Sequence, residues 1–150
     1  MGNICRSPIA EGVLRGRVAD AGLERRVLVD SAATHGGYIG HPPDPRSQAA
    51  AILRGYDLGK LRARQLTRKD FAEFDYILAM DAENLEELKR VAPPEHRDRP
   101  RLFLDYGSKY KGAEIVDPYY GGREGFERVL DMSEDAAAGL LDDIKKKLGL

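Results

Sequence analysis

The chain opens with Met1-Gly2-Asn3-Ile4-Cys5-Arg6-Ser7-Pro8, a composition typical of a phosphate-binding loop that leads directly into a helix. Gly2 lets the backbone turn so that successive amides can point toward one anion. Arg6 offers a planar fork of donors that matches two phosphate oxygens. Ser7 and Pro8 begin an apolar-periodic stretch, so the anion would also face the positive end of a helix dipole. The stretch therefore predicts a phosphate site formed by Gly2, Asn3, Ile4, Cys5, Arg6 and Ser7.

The overall composition is that of one ordinary domain spanning 1–150. Hydrophobic residues make up 42% and charged residues 33%, and 24 basic against 25 acidic residues give a net charge of -1. This balance provides no electrostatic argument for a nucleic acid or a membrane surface as partner. The single cysteine excludes an internal disulfide and fits a reducing cytoplasm, and the three histidines lack metal-ligand spacing. We expect a cytoplasmic protein with no metal and no cofactor.

Hydrophobic periodicity predicts strands that alternate with helices along the chain. Apolar runs indicate strands over 27–32, 76–80 and 101–104. Helical spacing indicates helices over 8–21 and 46–56, a helix that carries Leu85, Leu88 and Val91 and stops at Pro93, and a last helix whose apolar stripe runs from Phe126 to Leu148. A capping box at 67–70 indicates a further short helix. This alternation favours an α/β fold with a doubly wound parallel sheet, whose ligand site lies at the carboxyl ends of the strands.

The opening residues also resemble a known family signature. Met1 to Glu11 is similar to the motif Cys-x-Gly-Asn-x-Cys-Arg-Ser-Pro-x-Ala-Glu of the low-molecular-weight protein tyrosine phosphatases, without its first Cys. Five further segments recur in similar order and spacing, at 30–33, 43–46, 63–65, 75–81 and 117–121. The resemblance implies a four-stranded parallel sheet flanked by helices. It also implies hydrolysis of phosphotyrosine or an aryl phosphate through a cysteinyl-phosphate intermediate, with inorganic phosphate as product and inhibitor.

The same resemblance implies that the chain begins late. In the family, the first Cys of the motif is the nucleophile and follows the first strand, and both would precede Met1. Cys5 matches the second Cys of the motif, which in the family is auxiliary. We therefore expect the chain to lack the first strand and the nucleophile and to be inactive as written, with two strands left without their shared partner. A phosphate-binding pseudophosphatase or regulatory module remains the alternative.

The resemblance assigns two catalytic roles in this sequence, phosphate binding to Arg6 and general acid to Asp117. The aromatic residues Tyr38, Tyr119 and Tyr120 could form a wall for the phenyl ring of a substrate. A family histidine is replaced by Leu61, which weakens the expected support of the phosphate loop. The remaining polar candidates are interpreted as structural pairs rather than site residues: Asp44, Arg46, Arg64, Asp81 and Asn84.

Overall fold

A computed structural model describes residues 5–119 and 121–150 of the chain. The predictions made for Gly2, Asn3, Ile4 and Tyr120 lie outside the described residues. The described residues form five α-helices and a short parallel sheet, so the α/β class is confirmed.

The main core lies between the first and last helices. Helix α1 (Arg6–Asp20) starts two residues earlier than predicted, and it is followed by a turn at Gly22, whose φ of 72° favours glycine. Helix α5 (Arg123–Lys147) carries a continuous buried stripe. Complete burial of each large apolar side chain, such as Ile9 or Leu130, contributes about 1.5–3 kcal/mol. This packing fixes the position of the start of α1, where the predicted phosphate site lies.

The sheet has two strands among the described residues. Strand β1 (Ile77–Ala79) pairs in parallel with strand β2 (Pro100–Leu102), with Ile77 opposite Pro100, and helix α4 (Ala82–Val91) lies between them in the chain. Three strands of a four-stranded sheet were predicted in this chain, and this number is wrong for the described residues. Strand β2 ends before its predicted boundary because Phe103–Tyr106 turns into a 3₁₀-helix.

The segment 27–32 was predicted as a buried strand, and this prediction is also wrong. Of this region only Ala33 forms a bridge, a parallel one to Gln65. Val27 and Val29 are half-buried, while Leu28 is 78% exposed. The sequence has strand propensity here, but a strand also requires a neighbour that pairs with its backbone.

Two shorter helices complete the described elements. Helix α2 (Pro45–Ile52) begins at a proline in its first turn, as α-helices tolerate, and ends four residues before the predicted boundary at 56. Helix α3 (Arg68–Glu73) starts with the predicted capping box between Thr67 and Asp70. In the part of the chain that the structure describes, no helix is long and apolar enough to cross a bilayer.

Candidate phosphate-binding site

Arg6 is held rigidly at the start of α1. It is 4% exposed, and its Nη1 donates to Asp81 Oδ2 at 2.6 Å and to the carbonyl oxygen of Ile115 at 2.6 Å. Asp81 lies just beyond the carboxyl end of β1. The structure therefore places this guanidinium where parallel α/β proteins bind their ligands.

Asp81 serves two partners at once. Its Oδ1 accepts a bond from the backbone amide of Asn84 at 2.7 Å, which caps helix α4, while its Oδ2 accepts from Arg6. Burial alone would raise the pKa of Asp81. The bonds from Arg6 and from the Asn84 amide more than offset that effect, so its pKa lies below the ordinary value. The sequence interpretation of Asp81 as a structural residue missed its contact with Arg6.

Cys5 is buried at the N-cap position of α1, next to Arg6. Its Sγ donates to Asp44 Oδ2 at 3.9 Å, and its carbonyl oxygen accepts from Ser47 Oγ at 3.3 Å. Burial, followed by the negative charges of Asp44 and Asp117, raises the pKa of the Cys5 thiol to about 11. The thiol is therefore protonated at neutral pH, whereas reactive cysteines have a lowered pKa.

Asp117 lies on the loop that faces the start of α1. Its side chain is exposed, and its Oδ1 accepts a bond from the Tyr119 amide at 3.0 Å. Asp117 lines the same cleft as Cys5 and Arg6, and its charge affects the pKa of Cys5. The structure thus brings the two predicted catalytic residues to one cleft.

The aromatic residues predicted as a substrate wall also meet there. The ring centroids of Tyr38 and Tyr119 are 6.4 Å apart with an interplanar angle of 49°. His41 packs edge-on against Tyr38 at 5.6 Å, and His35 lies 6.3 Å from it. Of these two imidazole rings, His35 lines the cleft together with Tyr38 and Tyr119, which the sequence did not suggest.

Arg46 connects the loop that carries Asp117 to the body of the protein. Its Nη2 donates to Asp44 Oδ2 at 2.9 Å and to the carbonyl oxygen of Tyr119 at 2.7 Å. Its guanidinium also lies 4.9 Å from the ring centroid of Phe126, within cation–π range. Because Tyr119 is two residues beyond Asp117, Arg46 restrains the loop that carries the acid. The sequence interpretation of Arg46 as merely structural missed this link.

Another polar candidate, Arg64, forms two ion pairs and also lines the cleft. It contacts Asp30 at 2.9 Å and Asp70 at 3.0 Å, which ties the segment 27–33 to the start of α3. Leu61 packs against the main core. Within residues 5–119 and 121–150, no group of three His, Cys, Asp or Glu side chains could hold a metal ion.

These features define a class of protein. A buried arginine at a helix N-terminus, a carboxylic acid on the opposite loop and paired tyrosines at the mouth are suited to an anionic ester with an aromatic group. The site lies at the carboxyl end of a parallel sheet in an α/β fold.

The chain belongs to the low-molecular-weight phosphotyrosine protein phosphatase family, whose family model matches residues 1–149. It is 42% identical over 149 residues to a low-molecular-weight protein-tyrosine-phosphatase of Synechocystis, covering 99% of this chain and 94% of that protein. It is 45% identical over 151 residues to a protein of the same description from Streptomyces coelicolor, covering 98% and 91%.

Solved structures agree with this assignment. A protein tyrosine phosphatase from Entamoeba histolytica, with Hepes in its active site, superposes with a TM-score of 0.92 at 38% identity, covering 99% of this chain and 94% of that one. YfkJ from Bacillus subtilis gives a TM-score of 0.90 at 37% identity, covering 98% and 91%.

The comparisons do not support the prediction of a truncated chain, because the sequence spans 94% and 91% of the two bacterial relatives. They also do not support the prediction of a missing nucleophile, since a cysteine, Cys5, is present near the N-terminus of the matched region. The lack of a first strand is likewise not confirmed by the likeness to solved structures.

Proposed function

We propose that this protein is a protein tyrosine phosphatase that hydrolyses phosphotyrosine or an aryl phosphate through a cysteinyl-phosphate intermediate. Family membership and the names of the relatives support this reaction. The observation that carries the proposal is the buried Arg6, fixed at the N-terminus of α1 in the cleft that Asp117 also lines.

In this mechanism, Arg6 binds the phosphoryl group. Its carboxylate and carbonyl partners hold the guanidinium plane in one orientation before a ligand arrives. A preorganised donor stabilises the transition state more than a flexible one does, because no reorganisation is required as the phosphoryl oxygens change charge. The proposed amide cradle consists of Cys5 and Ser7 together with Gly2, Asn3 and Ile4, which lie outside the described residues.

Asp117 is the proposed general acid. Its exposed carboxyl group lies on a loop that Arg46 holds through Tyr119, so it can protonate the oxygen of a departing tyrosyl group. Tyr38 and Tyr119 would pack against the phenyl ring of that group.

Cys5 matches the second, auxiliary Cys of the family motif, so we infer that Cys5 is not the nucleophile. A thiol with a pKa of about 11 that faces Asp44 is a poor source of thiolate at neutral pH. That same observation on Cys5 favours a phosphate-binding pseudophosphatase as the second candidate function.

Binding of vanadate or inorganic phosphate tests the role of Arg6. Arg6→Lys keeps the charge but loses the planar fork, so it should weaken binding at least tenfold. Arg15→Lys is the matched control, because Arg15 lies on the same helix with its side chain 51% exposed. Equal dissociation constants for Arg6→Lys and the native chain would remove Arg6 from the phosphate site.

Hydrolysis of an aryl phosphate separates the two candidate functions. We expect Cys5→Ser to leave the rate of the 150-residue chain unchanged, because Cys5 is not the proposed nucleophile, and a chain extended by an apolar strand and a Cys before Met1 to turn over. Activity of the 150-residue chain that disappears in Cys5→Ser would instead make Cys5 the nucleophile. An extended chain that binds phosphate without turnover would favour the pseudophosphatase.

A further inference from the structure

The mouth of the cleft carries two histidines that have no role in the proposed reaction. His35 and His41 are both exposed and both pack against Tyr38, with ring centroids 6.3 Å and 5.6 Å from that of Tyr38. His35 lines the cleft, and His41 lies edge-on against the Tyr38 ring. Because Tyr38 also packs against Tyr119, the two imidazoles border the wall proposed for the phenyl ring of the substrate.

The backbone next to His35 fixes the state of its ring. The Nδ1 atom of His35 accepts a hydrogen bond from the Gly37 amide at 3.2 Å. A ring nitrogen that accepts carries no proton, so the proton of the neutral imidazole is on Nε2. Glycine suits this contact, since a Cβ at Gly37 would lie 3.3 Å from Nδ1. His35 therefore offers an N–H donor at Nε2 beside Tyr38.

Main-chain hydrogen bonds hold His41 in its place. Its amide donates to the Tyr38 carbonyl oxygen at 2.9 Å, and its carbonyl oxygen accepts from the Ala63 amide at 2.9 Å. Gly40 has a φ of 84°, which favours glycine, and its amide donates to the Ala63 carbonyl oxygen at 2.8 Å. The backbone of His41 is thus already ordered, so a contact with its ring costs little further ordering.

The cations of this region differ in whether a carboxylate compensates them. Three arginines of the site each contact one or two carboxylates: Arg6 with Asp81, Arg46 with Asp44, and Arg64 with Asp30 and Asp70. Arg62, which precedes the Ala63 that holds His41, is exposed and donates to the carbonyl oxygens of Gly59 and Leu61. Within residues 5–119 and 121–150, none of His35, His41 and Arg62 forms an ion pair with a carboxylate. We call these three residues the basic rim.

A peptide substrate would pass the basic rim with the residues next to its phosphotyrosine. With the phosphoryl group on Arg6 and the phenyl ring against Tyr38 and Tyr119, the peptide backbone lies outside the cleft, over its mouth. A carboxylate there can accept from the imidazole N–H groups and is attracted by the charge of Arg62. A lysine or arginine would meet only donors. Asp117 does not reverse this preference, because it lies on the opposite loop with Tyr119.

We propose that the basic rim recognises an aspartate or glutamate next to the phosphotyrosine, so that the protein selects acidic phosphopeptides. This inference rests on the proposed function, because it requires phosphotyrosine in the cleft. His35, His41 and Arg62 are specificity residues and take no part in proton transfer. Contacts between exposed charges are weak, so the discrimination is modest, about three- to tenfold in affinity.

The probes are two synthetic peptides that carry a difluoromethylphosphonate analogue of phosphotyrosine, which is not hydrolysed. They are identical except that glutamate flanks the analogue on both sides in one and glutamine in the other. We expect the glutamate peptide to bind the native chain about three- to tenfold more tightly at low salt. The ratio of the two affinities should fall toward one in about 0.5 M salt, since exposed charges are screened. A ratio of one at low salt, or a preference for the glutamine peptide, would overturn the proposal.

Variants of the rim test the location. His41→Phe keeps a ring against Tyr38 but loses the N–H donor, and Arg62→Met keeps the apolar stem but loses the charge. We expect each to lower the ratio and the double variant to bring it to one. His96→Phe and Arg97→Met are matched controls at the turn 94–97, outside the cleft lining, and should keep the native ratio. The ratio is measured within each protein, so a change in overall affinity does not affect it. A native ratio in the folded double variant would overturn the rim.

Binding of inorganic phosphate to the native chain, measured in parallel, separates this inference from the proposed function. Phosphate and both peptides binding, with equal peptide affinities, would leave the phosphate site intact and overturn the basic rim alone. No binding of phosphate or of either peptide would overturn the proposed function and, with it, the rim. The imidazole resonances of His41 should shift more with the glutamate peptide than with the glutamine peptide, and equal shifts would place the carboxylate elsewhere and overturn the contact.

Discussion

The contact between Arg6 and Asp81 leads to a quantitative prediction for Asp81→Asn. Asparagine is as good an N-cap as aspartate, so the bond to the Asn84 amide and the start of α4 should survive. The change therefore removes mainly the negative charge opposite Arg6. This isolates the ion pair from the helix cap.

The expected loss can be estimated from the burial of the two partners. The Arg6 side chain is 3% exposed and that of Asp81 is 22% exposed, with 2.6 Å between Nη1 and Oδ2. Removal of one partner from a buried pair costs about 3–5 kcal/mol, because the other charge stays buried without compensation. The partial exposure of Asp81 favours the lower end, so we expect the free energy of unfolding to fall by about 3 kcal/mol at pH 7.

The pH dependence of this loss provides a second check. The pKa of Asp81 is lower in the folded protein than its unfolded value of about 3.9. A group with a lowered folded-state pKa stabilises the protein above the unfolded pKa, and that contribution is lost as the pH falls through the folded pKa. The difference between the native protein and Asp81→Asn should therefore be constant above about pH 5 and shrink below about pH 3.9.

Urea unfolding, followed by circular dichroism between pH 3 and pH 8, measures both quantities. Glu87→Gln is the matched control, because Glu87 forms a surface pair with Arg90 on the same helix and should cause no measurable change. A loss under 1 kcal/mol at pH 7, or a loss of the same size at pH 3, would refute the reasoning that a buried ion pair fixes Arg6.

Three further changes test other parts of the structure. Asp117→Asn, in a catalytically active form, should slow aryl phosphates more as their leaving groups become poorer, and a flat dependence in steady-state assays would show that Asp117 only positions the loop. Cys5 should react with iodoacetamide much more slowly than a free cysteine at pH 7.5, and the reaction should become faster as the pH approaches the Cys5 pKa of about 11. Fast labelling at neutral pH would contradict the buried position of Cys5. Gly139→Ala should destabilise α5 by about 1–3 kcal/mol in thermal unfolding, because a Cβ there would overlap the Tyr106 carbonyl oxygen. Gly16→Ala, which meets only the flexible Tyr56 ring, is its control, and equal effects would rule out the backbone overlap.

The helices could be predicted from the sequence because their signals are local. The spacing of Ile9, Val13 and Val18 indicates one buried face of α1, and the turn at Gly22 ends that helix region in the structure as in the prediction. Helix α5 was predicted for the same reason. Its first residue, Arg123, lies three residues before Phe126, where the predicted apolar stripe begins.

Strands were less predictable because they depend on partners far away in the sequence. The residues from Val27 to Ala32 have strand composition, but the structure assigns no strand there, and the adjacent Ala33 forms an isolated bridge to Gln65. Strand β2 was predicted close to its position, and only its end was wrong. The composition therefore indicated where the backbone is extended, but it did not indicate which extended segments pair with a neighbouring strand.

The candidate site was predictable in its residue types and not in its supporting contacts. Asp81 and Asp44 each cap a helix, and the sequence shows that local role because an aspartate precedes each helix. Each also holds an arginine of the site, Asp81 binding Arg6, which is 75 positions away, and Asp44 binding Arg46. A capping aspartate uses one carboxylate oxygen for the helix and leaves the other for a second donor. Helices α2 and α4 both begin beside this cleft, so each capping aspartate also places its second carboxylate oxygen next to the cleft. Asp81 therefore orients Arg6 and Asp44 orients Arg46, because each helix fixes the position of its own cap.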